Sequence, residues 1–213
     1  MLPGPDYIYK CPQCSSFLKK ESLMSGNTFG AAFFSDGKRI APMLPESPDL
    51  TRCKRCGTFF WLSRQKYFEV WDWSETDNQE WKNAEIATFP DIEGYFSALH
   101  KGLANSSRDQ IHVRQRIWWA YNDRVRNGDS LFLNEKDEER WKENCEQLIQ
   151  LIQPNDLNRK IMLAELKRNL GDFDACTEII SAIEDSEFDW LKEAFLRECK
   201  NRNTRVFKFN SPR

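Results

Sequence analysis

The spacing of apolar residues along this 213-residue chain changes character near residue 75. Before that point, apolar residues come in short aromatic-rich runs interrupted by Pro and Gly, which is typical of small β structures. After it, prolines are rare and apolar positions recur with the 3.6-residue period of amphipathic helices. The pattern predicts an α+β fold, mainly α, with a small β domain over residues 1–75 followed by an all-helical domain over residues 76–213.

Three runs in the first segment have the composition of β-strands: YIYK (7–10), TFGAAFF (28–34) and TFFWLS (58–63). The dipeptide Asp36-Gly37 favours a tight hairpin turn, because both residues tolerate a positive φ. We therefore expect a β-hairpin over residues 28–42.

Periodicity and terminal signals predict six helices in the second segment. Asn134 precedes an acidic stretch, as a helix N-cap does, and Gly171 separates two helical patterns. The predicted helices cover residues 91–104, 107–127, 135–152, 156–170, 173–184 and 187–201. Their short links imply antiparallel neighbours. Two interpretations stay open for the tail over 204–213, a docked strand-like segment or a disordered end.

Two C-x2-C pairs, Cys11/Cys14 and Cys53/Cys56, carry the most specific chemistry in the sequence. Four thiolates suit a tetrahedral Zn²⁺ ion, and an all-cysteine set predicts a structural ion, since a catalytic zinc keeps an open position. Gly57 supplies the positive φ that a turn around the metal needs. A redox dithiol, an iron or iron–sulfur centre, and no metal at all are the alternatives. Because a small β domain buries little apolar area, zinc binding is expected to supply much of its folding free energy.

Residues 7–63 resemble a zinc ribbon, because the two pairs frame short strand-like runs. The 38 residues between the pairs make the central insertion longer than usual. This resemblance implies a metal-stabilised β fold and carries no catalytic residue.

The stretch over 156–184 resembles a tetratricopeptide unit, in which two helices meet at a Gly turn. The matching positions are Leu163, Ala164, Gly171, Asp172, Phe173, Cys176 and Ile180. This resemblance implies a short α-solenoid of about three helical hairpins, with a plain helical bundle as the alternative. As a whole, the chain resembles bacterial proteins that join an N-terminal zinc ribbon to a tetratricopeptide-like domain.

The helix predicted over 107–127 combines arginine and tryptophan. Arg114, Trp118 and Arg124 fall within its broad apolar arc, whereas Trp119 lies on the opposite face. One interpretation is internal pairing, because buried arginines need carboxylate partners such as Glu135, Asp137 or Glu138. Another is a groove in which Arg114, Trp118, Trp119 and Arg124 bind an acidic or aromatic peptide. A phosphate or nucleic-acid contact is the third.

Charge and targeting signals narrow the function classes. Lys and Arg number 31 and Asp and Glu 33, which argues against a strongly electrostatic nucleic-acid binder. The N-terminus lacks the pattern of a signal peptide, and no apolar run reaches 18 residues, so we expect a cytoplasmic protein without a membrane partner. A phosphate-binding loop, HExxH and G-x-S-x-G are all missing, so we expect no enzyme.

Two functions follow from these features. The first is a non-enzymatic zinc-binding protein-interaction or adaptor module whose partner is another protein or peptide. The alternative is a nucleic-acid-associated accessory factor that uses the basic zinc ribbon. The basic residues behind the alternative are Lys10, Lys38, Arg39, Arg52, Lys54, Arg55, Arg64 and Lys66.

Overall fold

The computed structural model describes residues 1–72, 74 and 77–210, which form two compact units. The cysteine unit comprises residues 1–31 and 41–103, and the helical unit comprises residues 32–40 and the chain from 104 onwards. These units are not the two consecutive domains that the sequence predicts. Residues 77–103 join the cysteine unit, and the hairpin segment 32–40 leaves it for the helical unit. The predicted boundary at residue 75 itself lies outside the described residues.

Short strands build the cysteine unit. They are β1 Leu2–Pro3, β2 Asp6–Lys10, β3 Phe17–Lys20, β4 Leu23–Ser25, β7 Leu50–Arg52, β8 Phe59–Trp61, β9 Glu69–Trp71 and β10 Glu85–Ile86. One sheet has the order β10-β3-β2-β9, in which β2 runs antiparallel to β3 and β9, and β10 runs parallel to β3. β7 and β8 form a separate antiparallel pair, as do β1 and β4. The predicted strands over 7–10 and 58–63 are confirmed, although the second ends in a 3-10 turn over Leu62–Arg64.

The described part of the cysteine unit also contains the helices α1 (Gln79–Lys82) and α2 (Ile92–His100). Side-chain hydrogen bonds connect residues 88–103 to the β7–β8 pair. The hydroxyl of Thr51 donates to the carbonyl of Thr88 at 2.9 Å, and the Trp61 indole N–H donates to the carbonyl of Leu103 at 2.9 Å. These bonds explain why the segment after residue 75 packs with the β structure.

The predicted hairpin forms as β5 (Ala32–Phe33) and β6 (Arg39–Ile40), with Gly37 at a φ of 77°. It is shorter than the predicted span of 28–42, and it packs within the helical unit. Its buried turn residues Ser35 and Asp36 face helical partners that only the folded chain supplies.

All six predicted helices are present. The helical unit contains α3 Ser107–Arg126, α4 Glu135–Leu151, α5 Leu157–Asn169, α6 Phe173–Ser181 and α7 Asp189–Lys200, the last preceded by a 3-10 turn over Ser186–Phe188. Ser106, Asn134 and Asp156 each accept a hydrogen bond from the backbone N–H three residues ahead, which satisfies an unpaired donor at the start of a helix. Neighbouring helices pack in the pairs α3–α4, α5–α6 and α6–α7. The α+β, mainly helical fold class is therefore confirmed.

The C-terminal tail is docked through residue 210, and residues 211–213 of the predicted segment lie outside the described residues. Its backbone joins the β5–β6 hairpin, because the Ser35 N–H donates to the Phe207 carbonyl at 2.9 Å and the Phe209 N–H donates to the Phe33 carbonyl at 2.9 Å. Phe209 is buried in a core cluster with Phe195 and Ile180. No helix among the described residues combines the length and apolarity needed to cross a bilayer.

Candidate metal centre

The four predicted cysteines converge. Their Sγ atoms all lie within 4.8 Å of one another, with 3.5 Å between Cys11 and Cys56 and 3.7 Å between Cys14 and Cys53. A tetrahedral Zn²⁺ with Zn–S bonds of ~2.3 Å would separate its sulfur ligands by about 3.8 Å. The sulfur cluster therefore has the size that a tetrahedral metal ion requires.

Both cysteine pairs use the same backbone turn. The carbonyl of the first cysteine accepts a hydrogen bond from the N–H four residues on, at 3.0 Å in the first pair and 2.8 Å in the second. Its own N–H donates to the carbonyl five residues on, at 2.9 Å in both pairs. The residue after the second cysteine is left-handed, with a φ of 57° at Ser15 and 75° at Gly57. The two cysteine turns therefore share one backbone geometry, and each directs its two sulfurs towards the same point.

A hydroxyl follows each pair at the same position, and sequence reasoning did not identify it as part of the site. Ser16 Oγ lies 3.1 Å from Cys14 Sγ and 3.3 Å from Cys53 Sγ, and Thr58 Oγ1 lies 3.3 Å from Cys56 Sγ. Hydrogen bonds with the Thr58 hydroxyl and backbone lower the pKa of Cys56 to about 6, and those of Ser16 lower the pKa of Cys14. They favour the thiolate, which is the metal-binding form. The signal in the sequence is a hydroxyl residue two positions after each pair.

The first cysteine of each pair is deeply buried. Cys11 and Cys53 are each 1 % exposed and pack in a core cluster with Leu18, Phe60 and Leu62. Burial raises the pKa of Cys11 to about 12, so a thiolate there requires a compensating cation. A metal ion supplies that compensation, because coordination deprotonates a thiol outright. The donor set and its burial therefore fit a bound metal ion.

The predicted arginine–tryptophan groove is not assembled as a surface. Trp118 is fully buried, and its indole N–H donates to Asn169 Oδ1 at 2.8 Å, so it is unavailable to a partner. Arg124 Nη1 lies 2.5 Å from Asp137 Oδ2 and donates to the Leu131 carbonyl at 3.0 Å. Internal pairing with Asp137, the first of the three interpretations of the sequence, is what the structure shows for Arg124.

The other two members of the set also have internal partners. Trp119 donates its indole N–H to the Asp36 carbonyl at 2.9 Å, and the guanidinium of Arg116 lies 5.0 Å from its ring centroid. The Asn144 side chain donates to the Arg114 carbonyl at 3.0 Å, and Arg114 Nη1 lies 3.5 Å from Asn144 Oδ1. These residues therefore tie α3 to the hairpin and to α4.

The chain thus combines a four-cysteine unit suited to a metal ion with a separate helical unit. No protein-family model, no curated protein and no solved structure matches it.

Proposed function

We propose that the four cysteines hold a structural Zn²⁺ ion and that the chain is a non-enzymatic, zinc-stabilised adaptor. The sulfur cluster carries this proposal, because four protein thiolates complete a tetrahedral shell and leave no position for water or substrate. The strands of the cysteine unit are two to five residues long, so a bound ion would contribute much of the folding free energy of the unit.

Native mass spectrometry of the untagged protein tests the metal. We expect one zinc ion per chain, lost in Cys14→Ser, and a lower unfolding temperature after chelation. Thr58→Val removes only the hydroxyl beside Cys56, so we expect it to retain zinc at about tenfold weaker affinity. Iron in place of zinc, or wild-type binding in Cys14→Ser, would overturn the proposed zinc centre.

A groove in the cysteine unit supports a peptide as the adaptor's partner. It has a volume of about 890 Å³, and its lining includes Tyr7, Tyr9, Tyr67, Leu44 and Pro45. Tyr9 is only 8 % exposed, so its ring forms part of a fixed wall of the groove. Tyrosine rings, Leu44 and Pro45 offer a peptide apolar contact, and the carboxylates of Asp6, Glu21 and Glu46 in the same lining offer it directed hydrogen-bond acceptors.

Selection from a random peptide display library tests this role. Zinc-loaded wild-type protein should enrich a consensus sequence, and Leu44→Arg should not, because the long cation would fill the groove. Leu133→Arg is the matched control, since Leu133 is 74 % exposed on the helical unit. If Leu44→Arg selects the same consensus as wild type, the groove is not the peptide site.

A further inference from the structure

A second surface of the cysteine unit pairs exposed aromatic rings with lysines. Lys10 Nζ lies 3.8 Å from the ring centroid of Phe68 and 5.1 Å from that of Phe17, and these two ring centroids are 5.4 Å apart. Phe68 is 49 % exposed. An aromatic ring that is half in solvent and beside a cation presents both apolar area and positive charge to a partner.

The fold holds this surface in place. Lys10 is the last residue of β2, where it pairs with Phe17 on β3, and the first cysteine turn begins at the next residue. The Phe68 N–H donates to the Ile8 carbonyl at 2.6 Å, which fixes the 65–68 segment to β2. The rings and the lysine are therefore positioned by the sheet and by the cysteine turn.

The charge around these rings is positive. A cavity of about 510 Å³ is bounded by Lys10, Lys66, Tyr67 and Phe68, and none of its lining residues is acidic. The neighbouring chain from residue 50 to residue 68 also lacks acidic residues and exposes five basic ones, Arg52, Lys54, Arg55, Arg64 and Lys66. Glu69 is the adjacent acid, and its carboxylate accepts the Val70 N–H at 3.1 Å. The excess of basic over acidic residues at this surface favours an anionic partner, although the whole chain has a net charge of −2.

We propose that Phe68, Tyr67, Lys10 and Lys66 form a binding site for single-stranded nucleic acid. Exposed rings stack on unpaired bases whatever the sequence, and flanking lysines contact the phosphates. In a duplex the faces of the bases are hidden, so these rings would have nothing to stack on. The proposal adds a second binding site to the peptide groove, and it rests on the proposed zinc-stabilised cysteine unit, since the first cysteine turn borders the site.

Fluorescence anisotropy with the full-length, zinc-loaded protein tests the site. The probes are 15-nucleotide oligo(dT), oligo(U) and a duplex of equal length, each at 50 and 200 mM salt. We expect both single strands to bind more tightly than the duplex, with affinity that falls as salt rises. The ratio of the oligo(dT) and oligo(U) affinities distinguishes DNA from RNA as the preferred source.

Matched variants separate stacking from charge. Phe68→Ala should weaken binding on the order of tenfold, and Phe68→Leu should weaken it as well, because leucine retains apolar bulk without a ring. Lys66→Gln should reduce the salt slope by about 0.7. Phe29→Ala and Lys200→Gln are controls at exposed positions outside the site and should bind like wild type.

Zinc content is measured on the same samples, so that a failure of the proposed zinc centre can be distinguished from a failure of the nucleic-acid site. Protein without zinc would overturn the metal centre, whereas zinc-loaded protein that binds no oligonucleotide at 50 mM salt would overturn only this site. Wild-type affinity in both Phe68→Ala and Lys66→Gln would also overturn it.

Discussion

The hydroxyl of Ser35 donates a hydrogen bond of 2.7 Å to the carboxylate of Glu165, which follows it by 130 residues, and both residues are 0 % exposed. Glu165 also accepts from the guanidinium of Arg168 at 2.6 and 2.9 Å. Arg168 in turn donates to the carbonyls of Asn203 and Arg205. One buried carboxylate thus joins the hairpin, α5 and the C-terminal tail.

Replacing the Glu165 carboxylate should lower the free energy of unfolding. Glu165→Gln retains the shape of the side chain but leaves Arg168 as a buried cation without its counter-charge, so we expect a loss of about 3–5 kcal/mol in the free energy of unfolding. Urea unfolding followed by helical circular dichroism measures it. Glu178→Gln, at an exposed position, should change stability by less than about 0.5 kcal/mol. Equal effects of the two variants would show that the buried network does not stabilise the helical unit.

Arg126 offers a comparison between two carboxylates on one cation. It pairs with Asp36, whose side chain is 0 % exposed, and with Asp123 at 2.6 Å, whose side chain is 35 % exposed. Asp36→Asn should therefore lower the free energy of unfolding by about 3 kcal/mol, since the partly exposed carboxylate of Asp123 is then, among the described residues, the one counter-charge left to the buried guanidinium. Asp123→Asn should cost no more than about 1 kcal/mol. Thermal unfolding of the two variants checks the order, and the reverse order would contradict the argument from burial.

The two cysteine turns predict opposite effects at equivalent positions. Gly57→Ala places a side chain at a φ of 75°, and the new Cβ would also lie 3.3 Å from Arg52 Nη2. We expect this variant to weaken the free energy of zinc binding by about 1–2 kcal/mol. Ser15→Gly removes a comparable strain, because Ser15 has a φ of 57°. The greater entropy of glycine in the unfolded chain offsets this by about 0.4–1 kcal/mol, so we expect a small gain in the free energy of zinc binding. Chelator competition for zinc measures both changes. A loss in both variants would mean that Ser15 is not strained.

Acid should destabilise the helical unit through Asp137. Burial alone would raise the pKa of Asp137, but hydrogen bonds from Tyr121, the Leu133 N–H and Arg124 lower it below the usual value. The stability from this group is present above the unfolded pKa of about 3.9 and is lost as pH falls through the folded pKa. Asp137→Asn, though less stable at neutral pH, should lose less stability than wild type below about pH 4. Acid titration of unfolding checks this, with exposed Glu139→Gln expected to follow wild type.

Loss of the metal should leave the helices intact. Cys53→Ser removes one ligand, so we expect no bound zinc and an unfolded cysteine unit. Far-UV circular dichroism should retain most of its helical signal, because α3–α7 pack within the other unit. Cys145→Ala, a buried cysteine of the helical unit, should retain one zinc ion. Helices that melt together with the metal site would show that the two units fold cooperatively.

Local signals in the sequence were sufficient to predict the helices α2–α7 and the four cysteine ligands. Helix starts at Ser107, Glu135 and Leu157 follow from capping side chains one residue earlier, which act over about one turn. The cysteine pairs were predictable for a similar reason, because a two-residue spacing lets one turn aim both sulfurs at a single point. Two to four residues are too few to show a period, which is why the sequence did not predict the strands β1, β3, β4, β7, β9 and β10 or the short helix α1.

The sequence by itself therefore determined the helices α2–α7 and the ligand set of the candidate metal site, since both depend on neighbours within a few residues. Only the tertiary structure decided that the 32–40 hairpin belongs to the helical unit, that Trp118 points into its core, and that Ser35 meets Glu165. Those outcomes depend on which distant groups can pair when buried. Such pairing is set by packing across the whole chain, because a polar group out of water is stable only where a partner lies within hydrogen-bonding distance.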